Sequence, residues 1–402
     1  MEDTMSKDLN STPSANRTHI GFFGKRNSGK SSLMNALTNQ SVSIVSEIPG
    51  TTTDPVSKAM EIKGIGPCVL IDTAGFDDTG ELGKLRIEKT KKVIDKIDMA
   101  ILLFDDLDIS SELMWYELFQ SKKISTLLVV SKGDIRHNIY ELKNKIEASV
   151  KVTPFISNIT DKENIASLQE NIINLAQDNK SSDTILNNLV SKGEVVLLVM
   201  PQDIQAPQGR LILPQVQTIR ELLDKDSVVI SVTTNEYTNS LKLLIKPPKL
   251  IITDSQAFSF VYENKPKESL LTSFSVLFAA YKGDIGYFME SVKAMDKLLP
   301  TSHVLIAEAC THVPLTEDIG REKIPKMLRK KIGKELSIDV VSGNDFPDDL
   351  IKYDLIIHCG ACMFNRKLVL SRVDKAKSQN IPMTNYGVFI AYVSNILDKI
   401  VF

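Results

Sequence analysis

Gly24-Lys25-Arg26-Asn27-Ser28-Gly29-Lys30-Ser31 follows the apolar run Thr18-His-Ile-Gly-Phe-Phe23 and precedes a predicted helix over Lys30–Thr38. A glycine-rich loop between strand and helix lets backbone N–H groups curl around phosphate oxygens, aided by the helix N-terminus. In that setting Lys30 reaches the β- and γ-phosphate oxygens and Ser31 ligates magnesium, with Gly24, Ser28, Gly29 and Ser32 completing the cradle. The loop therefore decides the first fold class: an α/β domain with a mainly parallel sheet.

The same alternation continues outward. Pro67–Ile71 is a predicted strand ending at Asp72, Asp98–Phe104 is another, and Thr126–Val130 a third. Strands alternating with helices imply a parallel sheet covered on both faces. In Asp72-Thr-Ala-Gly75, Asp72 is placed to hold magnesium through water and the Gly75 N–H to sense the γ-phosphate. Ser131-Lys132-Gly133-Asp134 resembles the Asn-Lys-x-Asp element of GTPases, with Ser131 where that element has Asn. The Asp134 carboxylate can accept from guanine N1–H and the 2-amino group, a pattern that adenine lacks, and Lys132 would lie over the base. Ser157-Asn158 reads either as a last guanine-contacting loop or as a plain turn.

Pro49-Gly-Thr-Thr-Thr-Asp-Pro55 resembles the first switch of the bacterial GTPase class that includes the tRNA-modification and ribosome-assembly GTPases. The resemblance makes Thr52 a magnesium ligand and Asn27 a potassium ligand beside the phosphates. A turn residue in a tight loop is the other reading of Asn27. Phe76 stands where other GTPases carry the Gln that orients the attacking water, so slow hydrolysis aided by potassium is expected.

At 402 residues the chain is too long for one ordinary core. A formal net charge of −2 argues against a general nucleic-acid binder, and no apolar run approaches a bilayer span. The polar residues 1–16 are expected to form a disordered tail without a signal-peptide core. A GTPase domain is expected over 17–177, with a boundary at Asp178-Asn-Lys-Ser-Ser-Asp183. A small α/β domain follows over 184–262, with strands at Glu194–Met200, Ser227–Val232 and Lys249–Thr253. So small a sheet buries little apolar surface alone, and a homodimer interface is expected there. The third domain, 264–402, is expected to begin with helices at Leu271–Tyr281 and Ile285–Leu299. Parallel strands at His303–Ala307, Ser337–Val341, Asp354–Ile357 and Ile381–Met383 follow. No internal repeat is evident.

Three of the four cysteines share one pattern, Cys310-Thr-His312 and then His358-Cys359-Gly-Ala-Cys362. Cysteines grouped in this way point to a reducing cytoplasm and metal binding, not to disulfides. Both halves follow predicted parallel strands, where open α/β sheets carry their ligand sites. Zinc of Cys3His type and a three-thiolate 4Fe-4S cluster suit the residue types equally, while a redox pair leaves Cys310 unexplained. His312 and His358 are each a candidate ligand or a donor to sulfur, and Glu308 is a candidate for the labile position. Cys68 reads as a core residue.

Following a GTPase domain and a middle domain, this cysteine–histidine pattern resembles that of the HydF family of FeFe-hydrogenase maturation GTPases. The resemblance implies a homodimeric scaffold with a 4Fe-4S cluster on Cys310, Cys359 and Cys362. It also implies receipt of a two-iron precursor made with the radical-SAM maturases HydE and HydG, and its delivery to apo FeFe-hydrogenase. The rival reading is a GTPase acting on RNA or the ribosome, with structural zinc in its last domain.

Overall fold

The computed structural model describes residues 12–40, 46–48, 55–76, 80–135, 137–178, 184–201, 211–309, 319–343 and 345–402. They fall into two compact units, within 1–181 and within 182–402.

The first unit runs β1 (Thr18–Phe23), α1 (Lys30–Gln40), β2 (Ser46–Ile48), β3 (Val56–Ile62), β4 (Gly66–Asp72), α2 (Gly80–Ile94), β5 (Met99–Phe104), α3 (Ser110–Ser121), β6 (Ser125–Val130), α4 (Ile139–Val150), β7 (Phe155–Ile156) and α5 (Lys162–Asp178). The sheet order is β2-β3-β4-β1-β5-β6-β7. From β4 to β7 all neighbours are parallel. β5 is buried along its whole length, as a strand covered by helices on both faces must be. The predicted central strands are thus present. The antiparallel edge pair β2–β3 was not expected, because Ser46-Glu-Ile48 is too short and polar to carry a periodic signal. Ser14–Asn16 forms a 3₁₀ turn inside the stretch expected to be a tail, and Arg17 Nε donates to the Thr12 carbonyl at 2.8 Å.

The second unit contains β8 (Val195–Val199), α6 (Leu213–Asp224), β9 (Val228–Val232), α7 (Tyr237–Lys242), β10 (Leu250–Thr253), α8 (Phe258–Asn264), β11 (Leu270–Ser273), α9 (Phe274–Lys282), α10 (Ile285–Ser291), β12 (His303–Ala307), α11 (Ile324–Ile332), β13 (Ser337–Val341), β14 (Leu355–His358), α12 (Arg366–Ser378), β15 (Met383–Asn385) and α13 (Tyr386–Val393). Two four-stranded sheets form, β11-β10-β8-β9 and β13-β12-β14-β15, and every pairing is parallel.

One sequence expectation needs correction. Leu270–Ser273 is a strand in the middle sheet, not the start of a helix, so that sheet extends past residue 262. The strand is four residues long and runs straight into an apolar helix, so periodicity alone does not separate them. Ser273 marks the junction, its side chain accepting from Val276 N as the cap of α9. The two sheets also share a strand order that residue spacing does not report: in both, the first strand in the chain lies between the second and the third, with the fourth outside the third.

The two sheets share one compact unit. α13 crosses α9 so closely that a Cβ on Gly387 would lie 2.8 Å from Ser275 Cβ. Ile396 and Ile400 pack with Leu197 and Ile251 of the middle sheet, and Val401 N donates to the Leu271 carbonyl at 3.0 Å. Among the described residues no helix is long and apolar enough to cross a membrane.

Candidate nucleotide and metal sites

β1 delivers the chain into the loop at Gly24, whose φ of +155° lies in a region that L-residues rarely adopt. A Cβ there would stand 2.6 Å from Ser28 Oγ and 2.9 Å from the Leu103 carbonyl oxygen. Lys30 is buried, and its Nζ donates to the carbonyls of Gly24 at 3.0 Å and Lys25 at 2.7 Å. The ammonium is therefore fixed by the loop it serves. Asn27 is exposed with φ +61°, a left-handed position that Asn adopts readily, so the backbone gives the turn reading a basis of its own.

Ser31 Oγ donates to Asp72 Oδ2, while Asp72 Oδ1 is buried without a hydrogen-bond partner. Burial pushes the Asp72 carboxyl up, opposed by Ser31 and the Lys30 charge. A hydroxyl, a carboxylate and an orphaned carboxylate oxygen form an oxygen donor set that suits magnesium. Thr73 Oγ1 donates to the Phe22 carbonyl at 2.6 Å, tying the start of the Gly75 segment to β1. Thr52 lies outside the described residues.

The two base-side loops are sewn together. Gly133 N donates to the Ser157 carbonyl at 2.9 Å, and Ser157 N to the Val130 carbonyl at 2.8 Å. Asp134 is exposed and Ser157 buried. Lys132, at φ +60°, pairs its Nζ with Asp105 Oδ2 at 3.0 Å. The sequence reading missed Asp105. It also missed the link from the phosphate loop to α3, where Lys25 Nζ donates to the Asp108 carbonyl and lies 3.5 Å from Glu112 Oε2. Burial pushes the Glu112 carboxyl up. On the same helix Trp115 stacks on Phe76, with centroids 4.9 Å apart and planes at 19°. A ring so engaged supplies no hydrogen bond to an attacking water.

In the second unit β12 and β14 are neighbours from which successive connections diverge, the switch point at which open α/β sheets bind ligands. Glu308 and Ala309 leave one strand there and Cys359 leaves the other. Cys359 Sγ accepts from Ala309 N at 3.0 Å and from Ala361 N at 3.4 Å. Cys310 is the residue after Ala309, and with His312 it lies outside the described residues. Among the described residues no three His, Cys, Asp or Glu side chains gather. A sulfur held by two backbone N–H groups, beside the segment leading to a third cysteine, fits a multi-thiolate site. Burial pushes the Cys359 thiol up, partly offset by those N–H groups.

His358 is buried, and both ring nitrogens are engaged. Nε2 lies 2.9 Å from Arg372 Nη1, which can only donate, so Nδ1 carries the proton and donates to the Cys359 carbonyl at 2.6 Å. Burial and the Arg372 charge pull the imidazole down to about 3, leaving it neutral. Asn385 Nδ2 donates to the same carbonyl at 3.3 Å. Glu308 Oε2 accepts from Arg321 Nε at 3.1 Å and Nη2 at 3.0 Å. Cys68 is a core residue whose thiol burial pushes up to about 12.

The first unit is that of a P-loop GTPase, and a model described as 50S ribosome-binding GTPase matches residues 19–132. A hydrogen maturase F dimerization domain matches residues 185–283 and a hydrogen maturase F tetramerization domain residues 286–402. These two span more than half of the chain, and the chain belongs to the hydrogen maturase F family. The tRNA modification GTPase MnmE of Desulforamulus reducens is 34% identical over 167 residues, 40% of this chain and 35% of that protein. GTPase Der of Wolinella succinogenes is 35% identical over 145 residues, 34% of this chain and 29% of that one. The crystal structure of Aquifex aeolicus Era is 15% identical with a TM-score of 0.32, covering 56% of this chain and 97% of that one. The chain spans between 26% and 36% of the length of the first curated relatives it matches.

Proposed function

We propose that this chain hydrolyses GTP and carries a 4Fe-4S cluster on Cys310, Cys359 and Cys362. In this reading it holds the two-iron precursor of the hydrogenase H-cluster and delivers it to apo FeFe-hydrogenase. The observation that carries the cluster reading is the 3.0 Å contact of Ala309 N with Cys359 Sγ across the β12–β14 switch point. It brings the segment before Cys310 against the Cys359–Cys362 loop, within a chain of the hydrogen maturase F family. The dimerization and tetramerization models support self-association, and Leu243 and Ile245 offer exposed apolar surface on the middle module. HydE and HydG are the proposed suppliers of the precursor.

At the nucleotide site Lys30 neutralises the β- and γ-phosphate oxygens, Gly75 N–H contacts the γ-phosphate, and Asp134 selects guanine. Magnesium would be held by Ser31 and Thr52, with Asp72 through water, and it supplies charge neutralisation of the phosphates. With Phe76 stacked on Trp115, the position after Gly75 offers no hydrogen bond to an attacking water, so turnover is slow, and a potassium ion at Asn27 raises it. In the cluster loop, His358 and Asn385 hold the Cys359 carbonyl and act on the loop backbone, not as cluster ligands.

Anaerobic purification tests this reading. The expected result is a brown protein whose iron and sulfide vanish when Cys310, Cys359 and Cys362 become serine. A colourless protein with stoichiometric zinc would instead support a ribosome- or RNA-directed GTPase with a structural zinc site, the reading that the name of the first family model favours.

A further inference from the structure

Lys282 ends α9, within the dimerization-domain match, and is 2% exposed. Its Nζ donates to the carbonyls of Phe364 at 2.7 Å, Ala361 at 2.8 Å and Cys362 at 3.4 Å. An ammonium has three N–H donors, and these three acceptors belong to a single turn that contains the second cysteine of Cys359-x-x-Cys362. Nζ also stands 5.7 Å from the centroid of the Phe278 ring. A lysine closing a helix satisfies the helix dipole equally well from the surface, so the dipole does not explain its burial.

The loop it grips needs holding. Ala361 has φ +47°, a left-handed conformation that a residue with a Cβ keeps only where its surroundings impose it. One of the three carbonyls on Lys282 is that of Ala361 itself. The Cys359 end of the loop is held by different groups, His358 and Asn385, while Lys282 bonds the carbonyls around Cys362.

We propose that Lys282 is a positioning residue for the cysteine loop: from the last turn of the dimerization-domain helix, its ammonium fixes how Cys362 is presented. Retention of metal in the C-terminal domain then depends on a side chain of the middle one. The same charge lies 3.4 Å from the Cys362 carbonyl, on the loop that presents the sulfur, and favours the more reduced state of a cluster bound there. The loop claim stands on the metal-free geometry, while the cluster consequence rests on the iron–sulfur reading above.

The test uses the full chain with Lys282→Met, which keeps length and loses charge, and Lys282→Arg. In metal-free protein, hydrogen exchange of the peptide covering residues 360–364 is expected to quicken about tenfold in Lys282→Met, with the rest of the second unit unchanged. After anaerobic reconstitution, iron passes faster to a chelator and the midpoint potential falls. Lys282→Arg restores the potential, but its planar fork does not meet three converging carbonyls, so exchange stays fast. Parental exchange in Lys282→Met overturns the proposal. Faster exchange spread evenly over residues 185–402 also overturns it, because Lys282 would then support the fold and not the loop. A parent chain that takes up no iron overturns the cluster reading alone, since the exchange result is read without metal.

Discussion

Gly133→Ala probes the base-side loops with a single methyl group. A Cβ on Gly133 would lie 2.7 Å from the Ser157 carbonyl oxygen and 3.3 Å from the Ser157 carbonyl carbon. Both are backbone atoms, and Ser157 N is bonded to Val130 of β6 at 2.8 Å, so no rotamer relieves the clash. The loops must part by several tenths of an ångström, which breaks the 2.9 Å bond from Gly133 N to Ser157 O. Losing that bond costs about 1 kcal/mol, and forcing the loops back around a base adds about 1 kcal/mol of overpacking. The expected loss is therefore about 2 kcal/mol of nucleotide affinity, or about 30-fold in Kd. Calorimetric titration with GDP and magnesium reads this directly. A variant that melts like the parent and binds GDP with the parent's Kd would refute the reasoning. A variant with lowered Tm and unchanged Kd would assign the Gly133–Ser157 contact to folding instead.

Two further outcomes follow from the first unit. Trp115 is the only tryptophan in the chain and stacks on Phe76, directly after Asp72-Thr-Ala-Gly75. Intrinsic fluorescence should differ between the GDP form and a non-hydrolysable GTP form, and Phe76→Leu should erase the difference. Identical spectra in the parent would mean that Phe76 does not move with the nucleotide. Hydrolysis should be faster in potassium than in sodium buffer, with Asn27→Ala removing the gap. Equal rates in the two salts would exclude the proposed ion.

The residues legible in the sequence were those whose chemistry lies in contiguous motifs. Gly24 to Ser31 and Ser131 to Asp134 fold into the loops that their order implies, because a glycine loop between strand and helix has few alternatives. Central strands such as Met99–Phe104 were equally plain, being apolar throughout. Short strands at sheet edges carry too few residues for periodicity to register, which hid Ser46–Ile48 and Leu270–Ser273. Side chains that act across the chain were invisible for a different reason. Lys282 lies 79 residues from the carbonyl it grips, and Asp105 27 residues from Lys132. Nothing local distinguishes Lys282 from any lysine ending a helix. The strand order that relates the two sheets is likewise a property of pairing and not of residue spacing.

That shared order has a mechanical consequence. α9 and α13 are counterparts: each leaves the fourth strand of its own sheet, and each begins directly after that strand's last residue, Ser273 or Asn385, whose side chain caps it. Equivalent helices from the two halves meet at Gly387 and Ser275, where not even a methyl group fits between them. Any displacement of one half against the other has to slide along this seam, as packed helices do in shear motions. One helix of the pair ends at Lys282, so sliding at the seam would reach the cysteines through the lysine's grip on their turn.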